Sequence, residues 1–128
     1  MNFIVYDSGA LIAAEKNDRH FLSQHRDFLQ RGVQPIVPAG VLAQVWNPQP
    51  NAAILHWILK GCKVTDLTER IAKQSSLLCH RNGSADTIDA SVVVTAIDYE
   101  YALILTDDIG DIKDLVAASG QSISVDLP

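Results

Sequence analysis

The stretch Gly83-Ser84-Ala85-Asp86-Thr87-Ile88-Asp89-Ala90-Ser91-Val92-Val93-Val94 decides how the rest of the chain is read. Ser84 is a candidate N-cap, because its hydroxyl can accept from the free amides of a first helical turn. Asp86 and Asp89 are three apart and share one helical face. From Ala90 to Ile97 the sequence is almost wholly apolar, so the helix has to be buried. A buried helix with two carboxylates at its start aims negative charge at something. Compensation of the helix dipole explains such acids without any ligand. The company they keep elsewhere in the chain decides between the two.

Outward from this helix, short apolar runs alternate with amphipathic segments. Phe3 to Tyr6 is expected to be a buried strand ending at Asp7, with a helix from Ala10 to Glu15. A second helix, Asp18 to Gln30, shows Phe21, Leu22, His25, Phe28 and Leu29 on one face. Gln34 to Val37 is a brief strand whose Pro35 suits only a strand start or an edge. Pro38 leads a helix from Ala39 to Trp46, and Asn47-Pro48-Gln49-Pro50 breaks it. Further expectations are a helix from Asn51 to Leu59, a strand from Cys62 to Thr65, and a helix capped by Asp66 and running to about Cys79. A loop, residues 80–83, then feeds the opening stretch. Ala102 to Thr106 is the clearest strand, and Asp107-Asp108 stands at its end. A turn, Asp108 to Asp111, leads to a helix from Ile112 to Ala118, and Ser122 to Val125 closes the chain as a strand.

This alternation predicts an α/β fold of three layers, a small, mostly parallel sheet of four to five strands between helices, in one domain over residues 1–128. Ligands of such sheets bind outside the carboxyl ends of the strands. Asp7 and Asp107/Asp108 stand at carboxyl ends, and a helix opened by Asp86 and Asp89 can point to the same edge. Carboxylates that meet in one pocket repel one another unless a cation joins them. Hard divalent ions with oxygen ligands, Mg²⁺ or Mn²⁺, are the natural partners.

Composition bounds the answer without deciding it. With 48% hydrophobic and 20% charged residues, the chain is of ordinary globular make-up. No apolar run approaches the ~20 residues of a membrane span, and the first residues do not read as a secretory signal, so a cytoplasmic protein is expected. Two cysteines, Cys62 and Cys79, are too few for a disulfide scaffold or a zinc site. A net charge of −5 argues against a general nucleic-acid-binding surface. It leaves room for a nucleic-acid enzyme whose acids are neutralised by metal.

Four segments in this order resemble the PIN domain, and within it the VapC toxins of bacterial toxin–antitoxin pairs. They are Val5-Tyr6-Asp7-Ser8-Gly9-Ala10-Leu11-Ile12-Ala13, Val37-Pro38-Ala39-Gly40-Val41-Leu42-Ala43-Gln44-Val45-Trp46, Asp86-Thr87-Ile88-Asp89-Ala90-Ser91-Val92-Val93, and Leu105-Thr106-Asp107-Asp108-Ile109-Gly110-Asp111-Ile112. The resemblance implies a PIN fold and a Mg²⁺- or Mn²⁺-dependent ribonuclease toxin that leaves a 5′-phosphate and a 3′-hydroxyl. It implies an RNA substrate, a VapB-like antitoxin and a homodimer. By position in those motifs, Asp7, Asp89 and Asp108 would be catalytic metal ligands, with Asp86 and Asp111 as further ligands or water-orienting groups.

The chain departs from the family pattern at Gln44, where Glu is usual, at Asn47, where a basic residue often follows the Trp, and at Asp107, where Ser or Thr is usual. Gln44 can hold a water or ligand by hydrogen bonds but supplies no charge and no base. Two outcomes stand: an endoribonuclease, with activity reduced at Gln44, or a PIN-fold module that binds antitoxin or RNA without cutting. An aspartyl-phosphate phosphatase or receiver would want D-x-D after the first strand, and Asp7 is followed by Ser8-Gly9. Arg70, Lys73 and Arg81, in the most basic segment, read as a solvated face or a weak RNA track. The four histidines show no metal-ligand spacing, with His80 nearest the expected site. Trp46 and Trp57 read as core packing, or as anchors for an antitoxin helix.

Overall fold

The computed structural model describes residues 2–128, with Asn51 described by its backbone alone. Five strands form one sheet in the order β3-β2-β1-β4-β5. They are β1 (Phe3–Tyr6), β2 (Gln34–Pro38), β3 (Lys63–Thr65), β4 (Leu103–Leu105) and β5 (Val125–Asp126). Every pairing is parallel, and β1 lies between β2 and β4, in register Val5↔Ile36 and Val5↔Ile104. The chain winds outward from β1 to β2 and β3, then returns to β1's other side for β4 and β5. The carboxyl ends of β1 and β4 therefore flank the point where the winding reverses, the place where such sheets leave a crevice.

Seven helices fill the crossovers: α1 (Ser8–Glu15), α2 (Arg19–Gln30), α3 (Ala39–Val45), α4 (Ala53–Lys60), α5 (Glu69–Asn82), α6 (Thr87–Asp98) and α7 (Ile109–Ser119). Helix α1 packs on α2, α3 and α4. On the other side α5, α6 and α7 pack together, with α6 seated on β1, β2 and β4. The result is the three-layer α/β/α arrangement that the alternation predicts. Its core joins Ile4, Val5 and Ile104 of the central strands to Ala90, Val92, Val93 and Ala96 of α6, all fully buried. On the α1–α2 side, Tyr6 packs edge-on against Phe21 and donates its hydroxyl to His25 Nδ1 at 2.8 Å. Burial pulls the His25 pKa down to about 4, which keeps the ring neutral and Nδ1 free to accept.

Several expectations are corrected at element ends. Thr68, not Asp66, caps α5 by accepting from the Ile71 amide at 3.2 Å, because Asp66 and Leu67 are spent on leaving β3. Helix α5 runs on to Asn82, so residues 80–82 are its last turn rather than a loop. Asp86, not Ser84, caps α6: its Oδ1 accepts from the Asp89 amide at 2.9 Å, and Ser84 Oγ accepts from the Asp86 amide at 3.1 Å. Ser84 thus orders the turn that delivers the true cap. Helix α1 starts at Ser8 and α7 at Ile109, each following an aspartate. Asn51 lies in a 3₁₀ turn, Pro50–Ala52, before α4. The last strand lies at Val125–Asp126. Pro35 sits at the start of an internal strand. The Gln34 amide points to Asn2 of the β1 side, so the amide Pro35 lacks would face β3, whose pairing begins only at Ile36.

Candidate metal centre

Asp7 follows β1 and is 1% exposed. Its Oδ1 accepts from the Ser8 amide at 2.8 Å, the N-cap contact of α1. Its Oδ2 accepts from the Thr106 hydroxyl at 2.7 Å, and Thr106 Oγ1 accepts in turn from the Asp108 amide at 2.9 Å. One fully buried hydroxyl therefore ties the end of β1 to the end of β4. Burial raises the Asp7 pKa despite these two stabilising hydrogen bonds, and the charges of Asp107 and Asp86 push the same way.

Asp89 comes to the same crevice from α6. It is 8% exposed, and burial first, then the charges of Asp7, Asp86 and Asp108, raise its pKa to about 7. Acids from two distant segments, and one from the cap of its own helix, thus act on one carboxyl group. Asp108 occupies the N-cap position of α7 without a side-chain cap hydrogen bond, and Asp111 lies in the first turn, both exposed. The Asp108 pKa is raised by partial desolvation, then by Asp111, then by Asp7. Among the described residues, Asp89, Asp108 and Asp111 place carboxylate oxygens within 4.8 Å of one another.

Two glycines let the surrounding elements close on this pocket. A Cβ at Gly9 would lie 2.4 Å from Asp107 Cγ and 2.8 Å from its amide nitrogen, so only glycine admits the β4–α7 loop against α1. A Cβ at Gly40 would lie 2.6 Å from Ile88 Cδ1, so α3 meets α6 beside Asp89. Gln44 follows Gly40 by four residues and shares its face of α3. It is exposed.

The basic residues are placed differently from the acids. Arg70 donates to Asp98, at the far end of α6 from Asp89, and to Gln74 at 2.8 Å. Lys73 pairs with Glu69 at 3.2 Å. Arg81 is exposed and borders a cavity with Leu77 and Val94. His80 lies exposed on the last turn of α5. Trp46 and Trp57 are not core residues: they are 54% and 47% exposed. Thr106 is the residue bonded to these acids that the sequence reading passed over. Its signal was there, a hydroxyl two positions before a strand-end acid, but such residues are common and its partner is 99 positions away.

The donor set is all oxygen and is carried on rigid element ends, and the proton affinities of Asp7, Asp89 and Asp108 are raised by burial and then by neighbouring carboxylates. Those properties fit a hard divalent cation.

No protein-family model and no curated protein sequence matches the chain. Among solved structures it matches at the level of fold, and the fold is that of the PIN domain. One similar structure is the crystal structure of VapBC2 from Rickettsia felis bound to a DNA fragment from their promoter. The TM-score is 0.74 over 98% of each chain, at 14% sequence identity. Among the described residues no helix is long and apolar enough to cross a membrane.

Proposed function

We propose that the chain is a Mg²⁺- or Mn²⁺-dependent endoribonuclease, the toxin of a cytoplasmic toxin–antitoxin pair, working as a homodimer with a VapB-like antitoxin as its partner. One observation carries the reading: Asp89, on a buried helix, has carboxylate oxygens of Asp108 and Asp111 within 4.8 Å, and its proton affinity is raised by burial first and then by Asp7, Asp86 and Asp108. The sequence motifs and the PIN fold of the VapBC2 neighbour support the same direction.

Asp89, Asp108 and Asp111 would hold the cation, with Asp7 behind them. Once bound, such an ion lowers the pKa of a water and neutralises a scissile phosphate. Asp7 is held by Ser8 and Thr106, so its carboxylate is fixed before substrate arrives. Asp86 positions Asp89 by capping the helix that carries it. Gln44 would orient a water or a phosphate oxygen by hydrogen bonding alone. The second reading, a PIN-fold module that binds without cutting, rests on that neutral residue.

The test is cleavage of stem-loop RNA with Mn²⁺ or Mg²⁺, with and without EDTA, by the wild type and Asp7→Ala. Metal-dependent cleavage that is lost in Asp7→Ala is expected. Cleavage unchanged in that variant would show the site to be wrong. No heat of Mg²⁺ or Mn²⁺ binding at millimolar concentrations would favour the module.

A further inference from the structure

We propose that the Trp46–His56 pair is a stacking platform for one unpaired base of the RNA substrate, so that this nuclease takes single-stranded RNA and holds it by stacking more than by charge. The proposal rests on the ribonuclease reading above. The indole of Trp46 and the imidazole of His56 stack at 4.7 Å between ring centres, 20° from parallel. The imidazole is itself fixed, with Nε2 2.6 Å from the Asn47 carbonyl oxygen. Asn47 is fixed too: its Oδ1 accepts from the Gln49 amide at 2.9 Å, and its Nδ2 lies 3.4 Å from Glu15 Oε1. The indole is therefore braced on one face, yet Trp46 remains 54% exposed, which leaves the other face to solvent. A rigid aromatic ring with one open face stacks on any base with little loss of entropy.

Its position suits an RNA strand that reaches the acids. Helix α3 meets α6 at Gly40, against Ile88 and next to Asp89, and ends at Trp46. Six residues of helix span about 9 Å. That is about two or three nucleotides at the ~3.4 Å rise of a stacked strand, and fewer if the strand is extended. Gln44 lies between the two points. The electrostatic alternative is weak: of the three basic residues read as an RNA track, Arg70 and Lys73 are engaged with Asp98 and Glu69, Arg81 alone is outside an ion pair among the described residues, and the net charge is −5. A chain of that charge gains little from backbone phosphates outside its metal-binding pocket, which leaves base stacking to supply the hold.

The sequence has two tryptophans, so Trp57→Phe makes Trp46 the sole indole reporter. In that background, with Ca²⁺ in place of Mg²⁺, a short unpaired RNA should quench Trp46 emission excited at the red edge, and the same sequence as a duplex should not. Anisotropy of labelled RNA should show Trp46→Ala weakening unpaired RNA by about tenfold and Trp46→Phe by about threefold or less. The emission arm and the Phe variant carry the test if the Ala variant fails to fold. RNA that binds while emission and the Trp46 variants stay silent would overturn the platform and leave the indole to a protein partner. RNA that binds none of the variants and is not cut would overturn the ribonuclease reading and the platform together.

Discussion

Replacing Asp89 by Asn should make the metal-free protein more stable, and Mg²⁺ should take most of that advantage away by stabilising the wild type alone. The carboxyl of Asp89 ionises at about 7 in the fold, against 3.8 as the reference value. In the fold it therefore keeps its proton over a range where the unfolded chain has lost it. Stability is highest below the unfolded value and falls as pH rises from about 4 to about 7. A shift of that size corresponds to about 4 kcal/mol in the absence of screening. Asp86 and Asp108 are exposed, so water screens their repulsion of Asp89, and about half of that, ~2 kcal/mol at pH 8, is the expected gain for Asp89→Asn. For a chain of 128 residues that is about 7 °C in Tm. Mg²⁺ should act in reverse. A site of about 1 mM affinity gives the wild type about 1.4 kcal/mol, near 5 °C, at 10 mM Mg²⁺, and the variant close to nothing. Thermal melts at pH 5 and 8, in EDTA and in 10 mM Mg²⁺, read all four quantities. If Asp89→Asn in EDTA gains no more at pH 8 than at pH 5, the carboxylates do not share a pocket.

Thr106→Val should cost about 3 kcal/mol in chemical denaturation, since it leaves a buried Asp7 oxygen and the Asp108 amide without partners, and cleavage should fall at least tenfold. Gly9→Ala should cost about 2 kcal/mol, because its methyl meets the Asp107 backbone, while Gly40→Ala should cost under about 1 kcal/mol, because it meets only the end of Ile88; paired denaturation curves compare them. Gln44→Glu should tighten Mn²⁺ binding in calorimetry and raise cleavage about tenfold, with less than about 0.5 kcal/mol lost in EDTA because position 44 is exposed; unchanged affinity would place the residue away from the cation.

The layered fold was legible because its signal is local. Apolar runs of strand length alternate with helical faces, and parallel pairing follows from the connections. The central position of β1 is less direct, since Phe3 to Tyr6 reads the same in any buried strand. Element ends were least legible, for a physical reason. Ser84 and Asp86 can each cap a helix three residues on, and Asp66 and Thr68 likewise, so sequence offers two starts for each helix. The choice depends on where the incoming chain leaves the sheet, and that is a tertiary fact. The two tryptophans were misplaced for a related reason. Apolar character predicts burial, but Trp46 stands at the C-cap of α3 beside a Pro-rich break, and Trp57 lies off the buried face of α4, which Leu55 and Ile58 supply.

The candidate site was legible as a set of residue types and strand ends, and far less as a division of labour. Asp86 and Asp89 look alike in sequence, three apart at one helix start. In the fold Asp86 is exposed, and its side chain is engaged with the Asp89 amide, while Asp89 is nearly buried and takes the repulsion of the others. The dipole and the ligand explanations of that stretch therefore describe different residues: Asp86 answers the helix, Asp89 faces the pocket. The same logic bears on Gln44. Each added carboxylate raises the proton affinity of Asp89 further, so a neutral residue on the neighbouring helix face lowers the repulsion that the fold must tolerate without metal. A cation is held less tightly for the same reason. The effect of Gln44→Glu on Mn²⁺ affinity and on stability in EDTA decides whether position 44 takes part in that balance.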